Sequence, residues 1–148
     1  NPQAPADEWS GDRGVGALYF SQQAVNKLAP AAGIKFPQDM PLPERLKAVQ
    51  KKADDGDPAA LHIFETIGTY LAYSIPHYAS FYNVENMLIL GRVTSGQGGE
   101  VVLRKARETM ERQFPVFAER IEIHVPDERS RRVGQAVAAA SLPEIVRK

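Results

Sequence analysis

Across residues 15–29 the apolar positions return at intervals of three, four and seven: Leu18, Val25 and Leu28, with Ala17, Ala24 and Ala29 beside them. That spacing stacks side chains on one helical face and predicts a helix over VGALYFSQQAVNKLA. GIKFPQDMPLP follows as a loop, because its three prolines remove backbone donors and Gly33 ends the helix before them. PERLKAVQKKADDGD, charged at most positions, predicts a short, mostly exposed helix closed by Gly56. Asp57 and Pro58 then make a strong helix start, the carboxylate placed for orphan backbone donors and the proline suited to the first helical position. Behind them Leu61, Phe64, Ile67, Leu71, Ile75, Tyr78 and Tyr82 keep to one face for about six turns. Pro76 is expected to bend this helix and Asn83 to end it.

The period then changes. MLILG is a continuous apolar run too short for a helix and bounded by Asn86 and Gly91, which predicts a buried strand. A helix is expected from Gly99 or Glu100 to Gln113, with Leu103, Ala106, Met110 and Phe114 inward and Arg104, Lys105, Arg107, Glu108 and Arg112 outward. RIEIHV alternates like a second strand, and a last helix is expected over residues 131–140, before Pro143. Helix, strand, helix, strand, helix is the order of an α/β fold with parallel strands and helical crossovers. Two strands are not a self-sufficient sheet, so either further strands lie near the start of the chain or the sheet is completed by sequence outside it or by another subunit. Phe20, Phe36 and Phe117 are expected to pack in the core, with cover for such an interface as the alternative.

Composition narrows the function classes. With 148 residues the chain fits one domain or part of one. Eighteen basic and eighteen acidic side chains cancel, which removes the electrostatic footprint of a domain that grips nucleic acid by its phosphates. There is no cysteine, so no thiolate zinc site and no disulfide, which fits a cytoplasmic protein. No apolar run reaches the roughly 20 residues that cross a bilayer. The opening NPQAPADEW lacks methionine and suggests a processed chain or a fragment of something longer.

The stretch GRVTSGQGG places a glycine turn between a strand and a helix, where open α/β sheets bind ligands and where helix-start donors can face an anion. It matches neither GxxxxGK[ST] nor GxGxxG, so a glycine-rich connection without a ligand is the simpler alternative.

YNVENMLILGRVTSGQGG resembles the passage "NPexIVlGGgvs" of the ROK family, the sugar kinases and sugar-responsive repressors of the actin-like ATPase fold. Asn83, Glu85, the apolar run at 87–90, Gly91 and Ser95 fall in step. GDRGVGALYFSQQAVNKLA is similar to the family's "GnrGCLEayaSg.ai", with Gly11, Arg13, Gly14, Tyr19 and Ser21 in matching places. PDERSRRVGQAVAA resembles the closing "DDAGLIGAA", with Asp127, Gly134 and Ala136 aligned. The matches keep the family's order and span nearly the whole chain. They imply that residues 1–148 are a single partial domain: the carboxyl-terminal part of a ribonuclease H-like second lobe, its sheet completed by initial strands and a first lobe upstream. The phosphate loop and catalytic aspartate would lie there too, so no catalytic residue is expected in this chain.

Departures from the family pattern shape the expected function. Glu8, Ser10 and Val15 stand where its zinc cysteines fall, so no zinc is expected. Ala17 replaces the glutamate that contacts a sugar hydroxyl in family kinases, and a methyl group cannot accept that hydrogen bond. Arg92 replaces the second glycine on the nucleotide side of the cleft, crowding an adenine or stacking on it. The favoured expectation is a sugar-sensing or regulatory lobe of a transcriptional regulator or degenerate kinase, with residues 91–99 lining the cleft between lobes. Its nucleotide side would comprise Gly91, Arg92, Thr94, Ser95 and Gly96, with Ala17 on the sugar side. An active sugar kinase using ATP and magnesium in the full-length protein is the alternative, and a structural or oligomerisation module the third. The expected partners are a sugar or sugar phosphate, the first lobe and further copies of the chain, with neither nucleic acid contact from this segment nor membrane.

Other residues read as packing or solvated surface: His62 and His77 beside the long helix's apolar face, His124 at a strand end, and Glu65, Tyr70 and Tyr73. Arg129, Arg131 and Arg132 at a helix start admit a phosphate or acidic partner, with a solvated charged turn, neutralised by Asp127 and Glu128 beside them, as the simpler reading.

Overall fold

The computed structural model describes residues 3–125. The expected last helix, the arginine cluster with Asp127 and Glu128, and the third family-like segment lie outside the described residues. The order is α1 (Ala17–Phe20), α2 (Gln22–Leu28), α3 (Leu42–Asp54), α4 (Pro58–Ala79), β1 (Asn86–Leu88), a 3-10 turn (Arg92–Thr94), α5 (Gly96–Gln113), α6 (Pro115–Ala118) and β2 (Glu122–His124). It is a mixed fold of helices and a two-stranded parallel sheet.

The first expected helix is broken in two. Ser21 takes an extended conformation, its hydroxyl donates to the Ala17 carbonyl at 2.6 Å, and its oxygen accepts from the Gln23 N–H at 3.1 Å. A serine side chain that bonds its own backbone competes with the helix ladder, and here it ends one helix and caps the next. The apolar face survives the break, with Leu18, Ala24, Val25 and Ala29 all buried. In α3 a stripe of Leu46, Val49 and Ala53 is fully buried, more than its charged composition suggested.

Helix α4 forms the centre of the core. Asp57 caps it, accepting from Ala59 N at 2.8 Å and Ala60 N at 3.2 Å, with Pro58 behind it. Ile63, Phe64, Ile67 and Ile75 are almost fully buried, each worth about 1.5–3 kcal/mol relative to exposure. The helix carries Pro76 within it and stops at Ala79, short of Asn83, where the Ser80 hydroxyl donates to the His77 carbonyl at 2.6 Å. Tyr78 and Tyr82, expected on the apolar face, are exposed because the core ends with the helix. Against α4 lies α5, and the two meet most closely at Gly68, where a Cβ would stand 2.5 Å from the Val102 carbonyl oxygen. On α5, Ala106 and Met110 are buried as expected, while Leu103 and Phe114 are partly covered.

The strands pair in parallel with Asn86 opposite Glu122, Met87 opposite Ile123 and Leu88 opposite His124. Glu122 N donates to Glu85 O at 2.9 Å and Ile89 N to His124 O at 2.8 Å. The α5–α6 segment is their crossover, as the alternating order predicted. The run at 87–90 is not buried on both faces, however. Met87 and Ile89 pack on the core, while Leu88 and Leu90 are 58% and 51% exposed. Among the described residues helices cover one face of this pair, and side chains alternate across a strand, so every second apolar residue points away. Phe20, Phe36 and Phe117 pack against the core.

Candidate functional site

The chain leaves β1 through Leu90 into Gly91, whose φ of 126° is one that side-chain-bearing residues rarely adopt. One 3-10 turn follows, closed by the Thr94 hydroxyl donating to the Gly91 carbonyl at 2.7 Å. Helix α5 starts at Gly96, three residues before the expected boundary, after an extended Ser95 whose side chain makes no cap. The cap comes from α3. The Asp54 carboxylate accepts from Gln97 N at 3.0 Å, and the Gln50 amide donates to the carbonyls of Arg92 at 2.7 Å and Ser95 at 3.3 Å. A carboxylate therefore already stands at the helix start where an anion was considered, complementing the backbone donors.

Two of the glycines answer to packing. A Cβ on Gly98 would stand 2.7 Å from the Phe64 ring, and one on Gly99 would overlap the Thr94 carbonyl. Both let α5 settle onto α4 and onto its own entry turn.

Beside the turn opens a cleft of about 420 Å³ at the carboxyl end of β1. Leu90, Gly91, Arg92 and Val93 form one wall, and Phe20, Ser21, Gln22 and Gln23 at the α1–α2 break form another. Pro43, Leu46 and Trp9 complete it. The Ser21 break positions the second wall, since it sets Phe20 and Gln22 at the junction of two short helices.

Trp9 reaches the cleft from the amino-terminal loop. The buried Asp7 carboxylate accepts from Trp9 N at 3.1 Å, Ser10 N at 2.8 Å and the Gln23 side-chain amide at 2.6 Å. The Ser10 backbone bond, then the Gln23 amide, hold this carboxyl below its ordinary pKa. Ala6 and Arg13 pair across the loop, and the Arg13 guanidinium donates to the Ala4 carbonyl at 2.8 Å. Trp9 is 80% exposed where it borders the cleft.

The expected site residues thus divide. Gly91 and Arg92 line the cleft. Thr94 is buried behind Gly91, while Ser95 and Gly96 form the capped helix start with Asp54. Ala17 opens α1, partly buried, and does not line the cleft. Trp9, Phe20 and Gln22 were not anticipated as a wall. The signal for Trp9 was a lone tryptophan in a polar lead, two residues after an aspartate able to fold the chain back on itself.

The histidines lie apart from the cleft. His62 is 3.6 Å from Glu65, His77 stacks edge-on to Phe81, and His124 Nε2 is 3.0 Å from Asn86 Oδ1. Glu65 pairs with Arg104, Tyr73 packs on Phe114, and Tyr70 meets Tyr19 beneath the Lys27 ammonium. Burial holds the Lys27 pKa below its ordinary value. No group of three metal-ligating side chains occurs among the described residues, nor does any helix long and apolar enough to cross a membrane.

The fold and cleft define a mixed α/β protein with a ligand-sized crevice at a strand end. Compared with protein-family models, curated proteins and solved structures, the chain gives no match.

Proposed function

We propose that the chain forms most of the second lobe of a ROK-like, actin-fold protein and serves as a sugar-sensing, regulatory lobe, with the cleft beside Gly91 and Arg92 contacting the ligand. The observation that carries this reading is the cleft itself. It lies where α/β proteins bind ligands, and it is lined mainly by apolar and aromatic groups with a few polar ones, the make-up of a small-molecule site. Trp9 offers a flat apolar face, and Gln22 and Arg92 offer hydrogen-bond donors at the rim.

Two features favour sensing over phosphoryl transfer. Arg92 occupies the cleft where the family pattern has glycine, and the Asp54 carboxylate sits at the α5 start, where it would repel a nucleotide phosphate. In this reading the first lobe of the same protein covers the exposed face of β1 at Leu88 and Leu90, an apolar pair that a second layer would bury.

Calorimetric titration of the protein with hexoses and amino sugars, and separately with ATP and magnesium, tests the proposal. Heat from a sugar but not from ATP is the expected result. Binding of both would replace the sensor with a sugar kinase, and binding of neither would leave the lobe as scaffold.

A further inference from the structure

Lys27 stands apart from the other described lysines. Lys47, Lys52 and Lys105 are ion-paired with Glu44, Asp57 and Glu108, while Lys35 and Lys51 are exposed. Lys27 is partly buried beside α1 and α4, its ammonium 3.8 Å from the centre of the Tyr19 ring and 5.2 Å from that of Tyr70. The two rings meet edge to face at 5.4 Å, and no carboxylate of the described residues pairs with the ammonium between them. Helix α2 carries Lys27 in its last turn and supplies Gln22 and Gln23 of the cleft wall from its first.

An ammonium over ring faces gains a cation–π attraction, and an ammonium removed from water without a counter-ion loses hydration. Burial sets the direction here and holds the Lys27 pKa below its ordinary value, so more of its amine is free near neutral pH than at an exposed lysine. The geometry points to Lys27 as a modification site, an amine nucleophile that takes a small acyl group from an acyl phosphate. Lys27 Nζ adds to the acyl carbon and a C–N bond forms. The bond from that carbon to the phosphate oxygen breaks, phosphate leaves with the electron pair, and the amine proton passes to water. The product is a neutral, planar amide, which keeps the tyrosine faces covered and removes a charge that has no counter-ion. Lys27 does not line the cleft, so this site is separate from the ligand proposed above.

The protein is incubated with acetyl phosphate near pH 7, and acetylation of each lysine is followed by peptide mass mapping. Lys27 is expected to react at least about twice as fast as Lys35 and Lys51. Its lead should narrow as the pH rises toward about 10.4, the ordinary lysine pKa, where exposed amines are free as well. In denaturant, where neither ring shields the amine, the lead should vanish. Reaction no faster than at Lys35 and Lys51, or a lead that persists in denaturant, would overturn the assignment. Acetylation of Lys27 by acetyl-coenzyme A but not by acetyl phosphate would overturn the acyl phosphate as its donor.

Discussion

The crossing of α4 and α5 and the pairing of β1 and β2 both join apolar positions, yet they end in different states. At the crossing, Phe64, Ile67, Val102 and Met110 are sealed, Gly68 lets the α5 backbone come close, and Gly98 makes room for the Phe64 ring. In the strand pair only alternate residues are covered, and Leu88 and Leu90 face outward. Interior packing at crystal-like density makes the first region intolerant of a single added or lost methyl, whereas the second has space on one side. The candidate cleft has the turn leaving β1 as one wall, with the α1–α2 break, α3 and the amino-terminal loop as the rest.

This contrast predicts a graded response to substitution. Phe64→Ala should cost about 3–5 kcal/mol in denaturant unfolding, because the ring has no exposed surface and lies against Gly98. Gly68→Ala should cost about 1–3 kcal/mol, since the nearest obstacles, the Val102 carbonyl and the Lys105 Cβ at 2.9 Å, belong to α5 and move only with it.

Acidification should act more weakly, through two carboxylates. The Ser10 N–H and the Gln23 amide lower the pKa of Asp7; the Ala60 N–H and the Lys52 ammonium lower that of Asp57. A carboxyl whose native pKa lies below its unfolded value contributes stability above the unfolded pKa and loses it as pH falls through the native one. The melting temperature should therefore hold down to about pH 4 and fall below it, and D7N with D57N should flatten that fall. Smallest of all, Leu88→Thr should stay within about 0.5 kcal/mol, because the side chain already faces outward; a loss as large as that at Phe64 would erase the contrast.

Local chemistry made part of this legible in the sequence. Asp57 and Pro58 announced the start of α4, and the change from helical to strand spacing announced β1, α5 and β2 in order. The Ser21 break was hidden because the apolar period runs through it undisturbed, while a side-chain hydrogen bond decides the backbone. Charges on three sides of α3 masked its buried stripe of Leu46, Val49 and Ala53. The early start of α5 depends on Asp54, and the need for Gly98 depends on Phe64. Both partners are distant in sequence, so no local pattern could show them. In the candidate site, Gly91 and Arg92 were legible from the strand-to-turn transition, but the opposite wall exists only once the amino-terminal loop folds over the α1–α2 break.

The central claim is that a sugar-like ligand binds in this cleft. Amide mapping by nuclear magnetic resonance during titration with the hexoses and amino sugars above tests it most directly. The account predicts shifts concentrated at Leu90, Gly91, Arg92 and Val93, at Phe20, Ser21, Gln22 and Gln23, and at the Trp9 indole. Saturable shifts centred elsewhere, with these signals unmoved, would contradict it.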